Sequence, residues 1–581
     1  MKKKVDPITL EIVGNLLLSI ADEMAVTLVK TAFSTNIKER KDCSSAVFNA
    51  KGSMVAQAEY VPMHLGSMLD VVNSILEQYD LNEIQPGDVF VTNDPYSGGG
   101  THLPDITMVA PAFVENEVVG FVANIAHHSD LGGMVPGSVS ADSTTIYQEG
   151  LRIPLVKICN KGEIVKESYN FITLNTRTPV ERQGDLDAQI ASNKAGVRRL
   201  SEIAERYGTE FFSECTESLL DYAEDLMRAG IKSLPDGEYE FEDYLDDAGT
   251  YSQDPVVIKA KVKIEGSDAF IDFSGTGDQV PGPLNITFSG LITTVFYCFK
   301  AIVGQSVPSN HGIYRALHVV APEKTIVNCS LPVPVGQRID TCQRVVDVIF
   351  GALSEVAPDK VIAACNSVVT SAIFSGTNLN TNDYFVYLET IAGGSGAHHN
   401  GDGLSGVQVH MTNTSNLPVE ALEREYPILI DRYELTTDSG GAGLHRGGLG
   451  IRRDFKILGE DLTFTGLGDR HKFSPWGIEG GKSGSSGEFI YYSKDGKEEK
   501  LKSKISDFKL RKGDIISIRT PGSGGYGDPL KRPAEKVLKD VKEKKVSVEK
   551  AYKNYGVKIK EQDGACIMDY ESTESLRTVN S

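Results

Sequence analysis

His102 and Asp105, in His-Leu-Pro-Asp, and His127, in Ala126-His127-His128-Ser129-Asp130, have the residue types of a metal site. Imidazole nitrogen with carboxylate oxygen is a donor set for a divalent transition metal such as Mn²⁺, Zn²⁺ or Fe²⁺. Three protein ligands leave positions open for water, as a catalytic site requires. The placement argues for one site. Apolar runs at about 106–114 and 118–126 read as strands joined by Glu115-Asn116-Glu117. Opposed residues in an antiparallel hairpin have a constant index sum, here about 232, which sets 105 against 127 and 102 near 130. Directly opposed residues lie ~5 Å apart, close enough to share an ion. Adjacent strand residues point to opposite faces, so His128 is not expected on the same ion as His127. His128 and Asp130 are candidates for proton transfer or for holding the ligands. A single histidine here would more simply close a surface hairpin; the clustering favours a metal. Gly98-Gly99-Gly100 and Gly132-Gly133 flank the group and permit close backbone approach.

The elements that position these residues are legible in outline. Residues 6 to about 33 read as a helix with Asp6 as N-cap, Pro7 at its first position, and Ile8, Ile12, Leu16, Ile20 and Met24 at helical spacing. A hairpin is expected over 47–55, a helix over 65–78, and a strand over 87–92 that enters the glycine-rich loop before His102. Residues 180–230 read as helix and 236–275 as strands. About 286–375 alternates apolar helical runs with short strands. About 384–525 reads as a Gly-rich β-domain. The tail from about 529 reads as helical, with the last fifteen residues loose. The expected fold class is mixed α+β with several domains: 1–235 carrying the hairpin, a central α/β unit at 236–383, the β-rich unit at 384–528 and a helical tail at 529–581.

A chain of 581 residues is too long for one core, which agrees with several units. The net charge of −20 disfavours a nucleic-acid partner. No run of eighteen apolar residues suggests a membrane span. The basic start, Met1-Lys2-Lys3-Lys4, lacks a following signal core. The eight cysteines are irregularly spaced with no CxxC pair, which reads as free thiols in a reducing, cytoplasmic setting.

Several ordered motifs resemble the hydantoinase B/oxoprolinase family. They are Ile37-Lys38-Glu39-Arg40, Pro62-Met63-His64-Leu65-Gly66, Asn93-Asp94-Pro95-Tyr96, the segments holding His102, Asp105 and His127, and Tyr147-Gln148-Glu149-Gly150-Leu151-Arg152. Further along come Gly393-Gly394-Ser395-Gly396-Ala397, Glu420-Ala421-Leu422-Glu423, Asp438 to Gly450, and Pro521 to Pro529. The resemblance covers about residues 6–570. It implies a subunit that works with a separate or fused A-type partner binding ATP with an actin-like fold. Members include the B-type subunits of N-methylhydantoinases, the second half of 5-oxoprolinase, and large subunits of ketone carboxylases. The family's metal motif, carried over, falls on His102, Asp105 and His127.

The expected function is ATP-dependent ring opening of a cyclic amide such as hydantoin, N-methylhydantoin or 5-oxoproline. ATP and Mg²⁺ would be used through the partner to phosphorylate the amide oxygen, and a divalent ion here would lower the pKa of water towards ~7. His128, Asp130 or Glu149 are candidates to move protons, and Arg152 to hold phosphate. The alternatives are an ATP-dependent ketone carboxylase subunit and a non-catalytic assembly subunit with a structural metal. Segment 476–483 lacks the first glycine of a phosphate loop and reads as a surface turn. His398-His399 lacks an acidic partner at ligand spacing. Gly282 to Asn285, Glu389 and the loop from Gly393 to Gly396 are candidates for a pocket wall.

Overall fold

The architecture comes from a computed structural model, which describes residues 5–58, 60–304, 306–378, 381–562 and 565–580. The basic run at 2–4 lies outside the described residues.

The first unit is built on a seven-stranded antiparallel sheet. In spatial order its strands are Met54–Gln57, Cys43–Asn49, Glu117–His127, Asp105–Val114, Val89–Thr92, Val156–Asn160 and Glu163–Ile164. Alternation along the central hairpin gives the sheet two apolar faces. Ile106, Met108, Ala110 and Val122 pack under the helices Pro7–Thr31, Pro179–Tyr207 and Thr209–Ile231. Val109, Phe121, Ala123 and Ile125 pack on the other face against Val71, Val72 and Ile75 of the helix Val71–Gln78. The 65–78 stretch is two helices, Pro62–Ser67 and Val71–Gln78, rather than one.

The N-terminal helix is capped as expected, with the Asp6 side chain accepting from the Thr9 amide at 3.0 Å. Its buried face differs from the expected one. Val13, Leu17, Ile20, Ala21, Met24 and Leu28 are buried, while Ile8 and Ile12 are exposed. A strict every-fourth-residue series advances ~40° per step on a helix of 3.6 residues per turn, so it starts on the outside and ends in the core. The helix has an 18-residue window of mean hydropathy 1.7, enough by length and composition to cross a membrane. Polar interruptions at Glu11, Asn15 and Ser19 hid this from a search for unbroken apolar runs. Here its inner face is a core face of the first unit.

The second unit is a four-stranded sheet in the order Leu317–Val320, Asp268–Asp272, Val256–Glu265, Gly237–Leu245. The helices Phe288–Val303 and Arg338–Leu353 share its core. The third unit is two antiparallel sheets, one of four strands and one of five, closed on each other over Phe374, Tyr387, Phe455, Phe464, Phe489 and Ile518. Strand Thr370–Asn378 belongs to this sandwich, paired with Asp383–Ile391 and Leu462–Leu467. A division at 383/384 therefore cuts a hairpin.

The glycine-rich segments are packed irregular backbone rather than surface turns. A Cβ on Gly448 would stand 1.9 Å from the Leu404 carbonyl oxygen, and one on Gly524 would stand 1.8 Å from that of Trp476. Trp476 also donates its indole N–H to Asp243 at 3.2 Å, so the 476–483 turn is part of this packing. The tail is ordered further than expected. After Ala534–Lys542, Val548–Tyr555 and a short hairpin, helix Tyr570–Asn580 docks through Arg577, which donates to the Tyr555 carbonyl at 3.1 Å.

Candidate metal centre

The hairpin register puts Asp105 directly opposite His127, and the index sum holds at 232 from Asp105 to Ala112 before an irregularity at Ala112/Phe113. Both residues lie on the face shared by Val109, Phe121 and Ile125. His102 reaches them from the preceding loop. That loop folds back because Gly99 packs against the end of strand Val89–Thr92, where a Cβ would stand 2.5 Å from Thr92 Oγ1. Asn93 fixes the return, donating to the carbonyls of Leu103 at 2.7 Å and Leu151 at 2.9 Å.

One potential ligand atom from each of His102, Asp105 and His127 falls within 4.8 Å of the others, and all three residues are buried. The rings of His102 and His127 have centroids 4.9 Å apart. His102 Nδ1 lies 3.0 Å from the Gly336 carbonyl oxygen, an acceptor only, so Nδ1 carries the proton and Nε2 presents a lone pair. That Nε2 is buried without a hydrogen bond, and so is Asp105 Oδ1. Buried polar atoms are nearly always satisfied, so two orphans 3.2 Å apart fit an absent cation. The other Asp105 oxygen accepts from Arg338 Nη2 at 2.7 Å, and Arg338 Nε donates to Thr101 Oγ1 at 2.8 Å. Asn36, itself held by Arg40, donates to the His127 carbonyl at 2.6 Å and lies 3.1 Å from its Nδ1.

Electrostatics favour the ligand forms. Burial pushes the His102 imidazole down, with Arg338 adding to it, and burial and His102 push His127 well down. Both rings are therefore neutral near pH 7. Burial alone would raise the Asp105 carboxyl, but His102 and Arg338 outweigh it and hold it well below the usual range.

Besides Arg338, His64 and Asp42 also escaped the sequence reasoning as site members. His64 Nε2 lies 3.6 Å from Asp105 Oδ1 and 3.9 Å from Asp42 Oδ1. Burial raises the Asp42 carboxyl, against the pull of His64 and Arg40. A cavity of about 50 Å³ adjoins the cluster, lined by Asp42, His64, His102, His127 and Arg338 on one side. Ser371, Ile373, Leu388, Thr390, Thr412 and Thr414 close it from the other. One water needs ~10–15 Å³ and a small-molecule pocket ~300–1,000 Å³. An ion with a few waters fits this space, and a larger substrate requires the walls to part.

The four residues expected to act as proton carriers or phosphate holder do not line this cavity. His128 turns to the opposite face, where its Nε2 is 2.9 Å from Gln189 Oε1. Asp130 accepts from the amides of Gly132, Gly137 and Arg177 and pairs with the Arg177 guanidinium at 2.9 Å, which fixes a loop. Glu149 accepts from the amides of Val335 at 3.0 Å and Gly336 at 2.8 Å. Burial pushes its carboxyl up to about 7. It thus holds the loop whose Gly336 carbonyl orients His102. Arg152 is engaged by Asp94 at 2.7 Å. Asn285 is likewise a loop tie, accepting from the Val280 amide at 2.8 Å and donating to the Gly282 and Pro334 carbonyls. Glu389 points away from the cavity to Arg453, 3.1 Å off, while its neighbours Leu388 and Thr390 line the wall. The rings of His398 and His399 are 6.3 Å apart. Among the described residues the one histidine, cysteine or carboxylate group with metal-site spacing is His102, Asp105 and His127.

Known proteins resemble the chain along its whole length. The B-type subunit of a putative D-/L-hydantoinase from Pseudomonas sp. (strain NS671) is 33% identical over 99% of both chains. 5-Oxoprolinase 1 of Arabidopsis thaliana is 34% identical over 90% of this chain, which spans 42% of that longer protein. The crystal structure of ATP-dependent caprolactamase from Pseudomonas jessenii superposes with a TM-score of 0.92 at 32% identity, covering 99% of this chain and 100% of that one. A nucleotide-free acetone carboxylase structure shares the fold, with a TM-score of 0.93 at 19% identity over 99% of this chain and 83% of that one. The family model for hydantoinase B/oxoprolinase matches residues 6–529, and the chain, with its buried His-Asp-His cluster on a sheet hairpin, belongs to that family.

Proposed function

We propose that this chain is the metal-holding catalytic subunit of an ATP-dependent cyclic amide hydrolase, acting in the cytoplasm with an A-type ATP-binding subunit. The observation that carries the reading is the pair of unsatisfied ligand atoms, His102 Nε2 and Asp105 Oδ1, beside His127 at the wall of a small cavity. His102, Asp105 and His127 hold one divalent ion. When bound, that ion supplies a Lewis acid and lowers the pKa of water towards ~7.

The chain's own residues do the rest. Arg338 fixes one Asp105 oxygen and leaves the other for the ion. Glu149 and Gly336 hold His102 in the tautomer that presents Nε2. His64 Nε2, between Asp42 and Asp105, is placed to take a proton from water in the cavity and share it with Asp42. Ile373 and Leu388 give the cavity an apolar wall, and the Thr412 hydroxyl stands in its lining for a polar substrate atom, whereas Thr390 is engaged by Arg40 and Thr414 and Ser371 by the Val369 carbonyl. The amide oxygen is activated by phosphorylation at the partner's ATP site before ring opening here.

The cyclic amide class is favoured over ketone carboxylation because the caprolactamase and the named hydantoinase and 5-oxoprolinase relatives are 32–34% identical, whereas the acetone carboxylase shares only 19%. The test is to reconstitute the chain with its A-type subunit and supply ATP with hydantoin, N-methylhydantoin, 5-oxoproline or caprolactam. ADP release matched to ring-opened product is expected. ATP turnover that needs bicarbonate and a ketone, with no lactam opened, would replace this reading with the carboxylase one.

A further inference from the structure

A second cavity, of about 430 Å³, lies on the far side of helix Pro62–Ser67 from the metal cluster. His64 of that helix lines the metal cavity and Gly66 lines this one, and two positions on a helix are ~200° apart. The volume falls in the ~300–1,000 Å³ range of small-molecule sites. Leu69, Ile292, Val295 and Leu317 give it apolar walls, with the ring of Phe288, 38% exposed, beside them. Its polar groups are one-sided. Asp70 is exposed in the lining and stands at the N-cap of helix Val71–Gln78, yet its carboxylate does not cap that helix. Among the described residues that carboxylate makes no hydrogen bond or ion pair. Tyr314 Oη and His311 Nδ1, in the turn His311–Ala316, are buried and have no hydrogen-bond partner either. The Tyr314 ring is fixed by stacking on Phe296 at 4.7 Å and by the edge of His311 at 5.5 Å. Burial lowers the His311 imidazole against the pull of Asp70, so the ring is neutral near pH 7. His318, also in the lining, is taken by Asp268 at 2.9 Å, and no lysine or arginine stands among the described lining residues. Buried polar atoms are nearly always satisfied, so a carboxylate and two possible acceptors here lack donors.

We propose that this cavity binds a small organic ammonium ion with an apolar body. Its N–H groups are shared among the Asp70 carboxylate, Tyr314 Oη and His311 Nδ1, and its carbons lie on Phe288, Ile292 and Leu317. An ammonium has three donors and no acceptor, which matches one free carboxylate and two acceptors without donors. The aromatic face of Phe288 adds to the attraction for a cation. An anion of the same size would meet Asp70 with no cation in the lining to offset it. The assignment does not depend on the catalytic reading. If that reading holds, water opening a lactam breaks the C–N bond and leaves a carboxylate at one end and a primary ammonium at the other, so ring-opened lactams fall in this class.

The test is isothermal titration calorimetry of the full-length chain at pH 7 with n-butylammonium, beside butyrate and n-butanol in the same buffer. Saturable binding of n-butylammonium to one site is expected, with butyrate silent and n-butanol ~10-fold weaker or more, the share of a charge-assisted hydrogen bond. Asp70→Asn keeps the size of the side chain and removes its charge, and should lower the affinity ~10-fold or more. Asp70→Glu keeps the charge and should lose less. Asp70 is exposed and outside the metal centre, so melting temperature and metal content of both variants should match the native chain. No saturable binding of n-butylammonium, or equal binding of butyrate, would overturn the proposal. So would Asp70→Asn binding as tightly as the native chain, which would place the ammonium elsewhere. Equal losses in Asp70→Asn and Asp70→Glu would make shape rather than charge the basis of binding, and would overturn it too. None of these outcomes bears on the cyclic amide reading, which turnover of the reconstituted enzyme tests.

Discussion

Asp105 and His127 are direct partners across the open end of an antiparallel hairpin, and the same Asp105 is the ion-pair partner of Arg338 at 2.7 Å. One carboxylate therefore belongs both to the candidate metal centre and to the junction between the first and second units. This double duty separates the ligand variants. His102→Ala and His127→Ala should lose the metal after dialysis against a chelator while the fold survives. Asp105→Ala should lose the metal and also strand a buried guanidinium, at a cost of about 3–5 kcal/mol. Elemental analysis with thermal melts reads both effects. Full metal occupancy in both histidine variants would place the ion elsewhere.

Glu149 supplies a pH-dependent term in stability. Its carboxyl is pushed up to about 7 by burial, against 4.5 when unfolded. The folded state thus binds more protons between those values, and stability falls as pH rises through the window. The contribution is fully present below 4.5 and lost above about 7. Its full span is about 3 kcal/mol, at 1.36 kcal/mol per unit. Urea midpoints from pH 4.5 to 8 should fall for the native chain, and the slope should flatten in Glu149→Gln. Equal slopes in the two proteins would remove Glu149 as the source. The same variant should weaken metal binding ~10–100-fold, since Glu149 holds the carbonyl that orients His102.

The packed glycine segments separate steric from conformational cost. Gly448→Ala would drive a methyl to 1.9 Å from a backbone oxygen and should destabilise by more than about 4 kcal/mol. Gly496, at φ +87° with open space around its Cβ position, should cost only about 1–2 kcal/mol when changed to Ala, the penalty of a left-handed alanine. Chemical denaturation of both variants checks this. Similar losses at the two positions would mean that close approach is not what requires glycine at 448.

What the sequence made legible was local. The Asp105–His127 pairing follows from a short turn and the constant index sum of an antiparallel pair. The turning away of His128 follows from alternation. His64 and Arg338 were beyond reach because no local period links them to the hairpin; Arg338 arrives from a helix 233 residues away in the chain. Asp130 and Glu149 have the residue types of proton carriers, but their chemistry depends on whether neighbouring amides claim their oxygens. For Asp130 those amides include Arg177, and for Glu149 they are Val335 and Gly336. The N-terminal helix was located correctly, but its buried face was not, since either Ile8-Ile12-Leu16 or Val13-Leu17-Ile20 reads as an apolar stripe until the sheet beneath chooses one.

His64 carries the sharpest remaining consequence. Its Nε2 stands 3.6 Å from the carboxylate oxygen that faces the ion and 3.9 Å from Asp42, and its Nδ1 is 3.3 Å from Ser44 Oγ. A fourth ligand and a proton carrier would both occupy this position, and they differ in what survives mutation. As a proton carrier, His64→Ala should keep the metal, leave KM for the cyclic amide close to its native value, and lower kcat ~10²–10⁴-fold. Asp42→Asn should lower kcat less, because it removes only the group that shares the proton. Single-turnover assays of the reconstituted enzyme, beside elemental analysis of the same preparations, separate the two roles. Metal lost from His64→Ala to the extent seen for His102→Ala would make His64 a ligand, and the proton-carrying role would then have to pass to Asp42 alone.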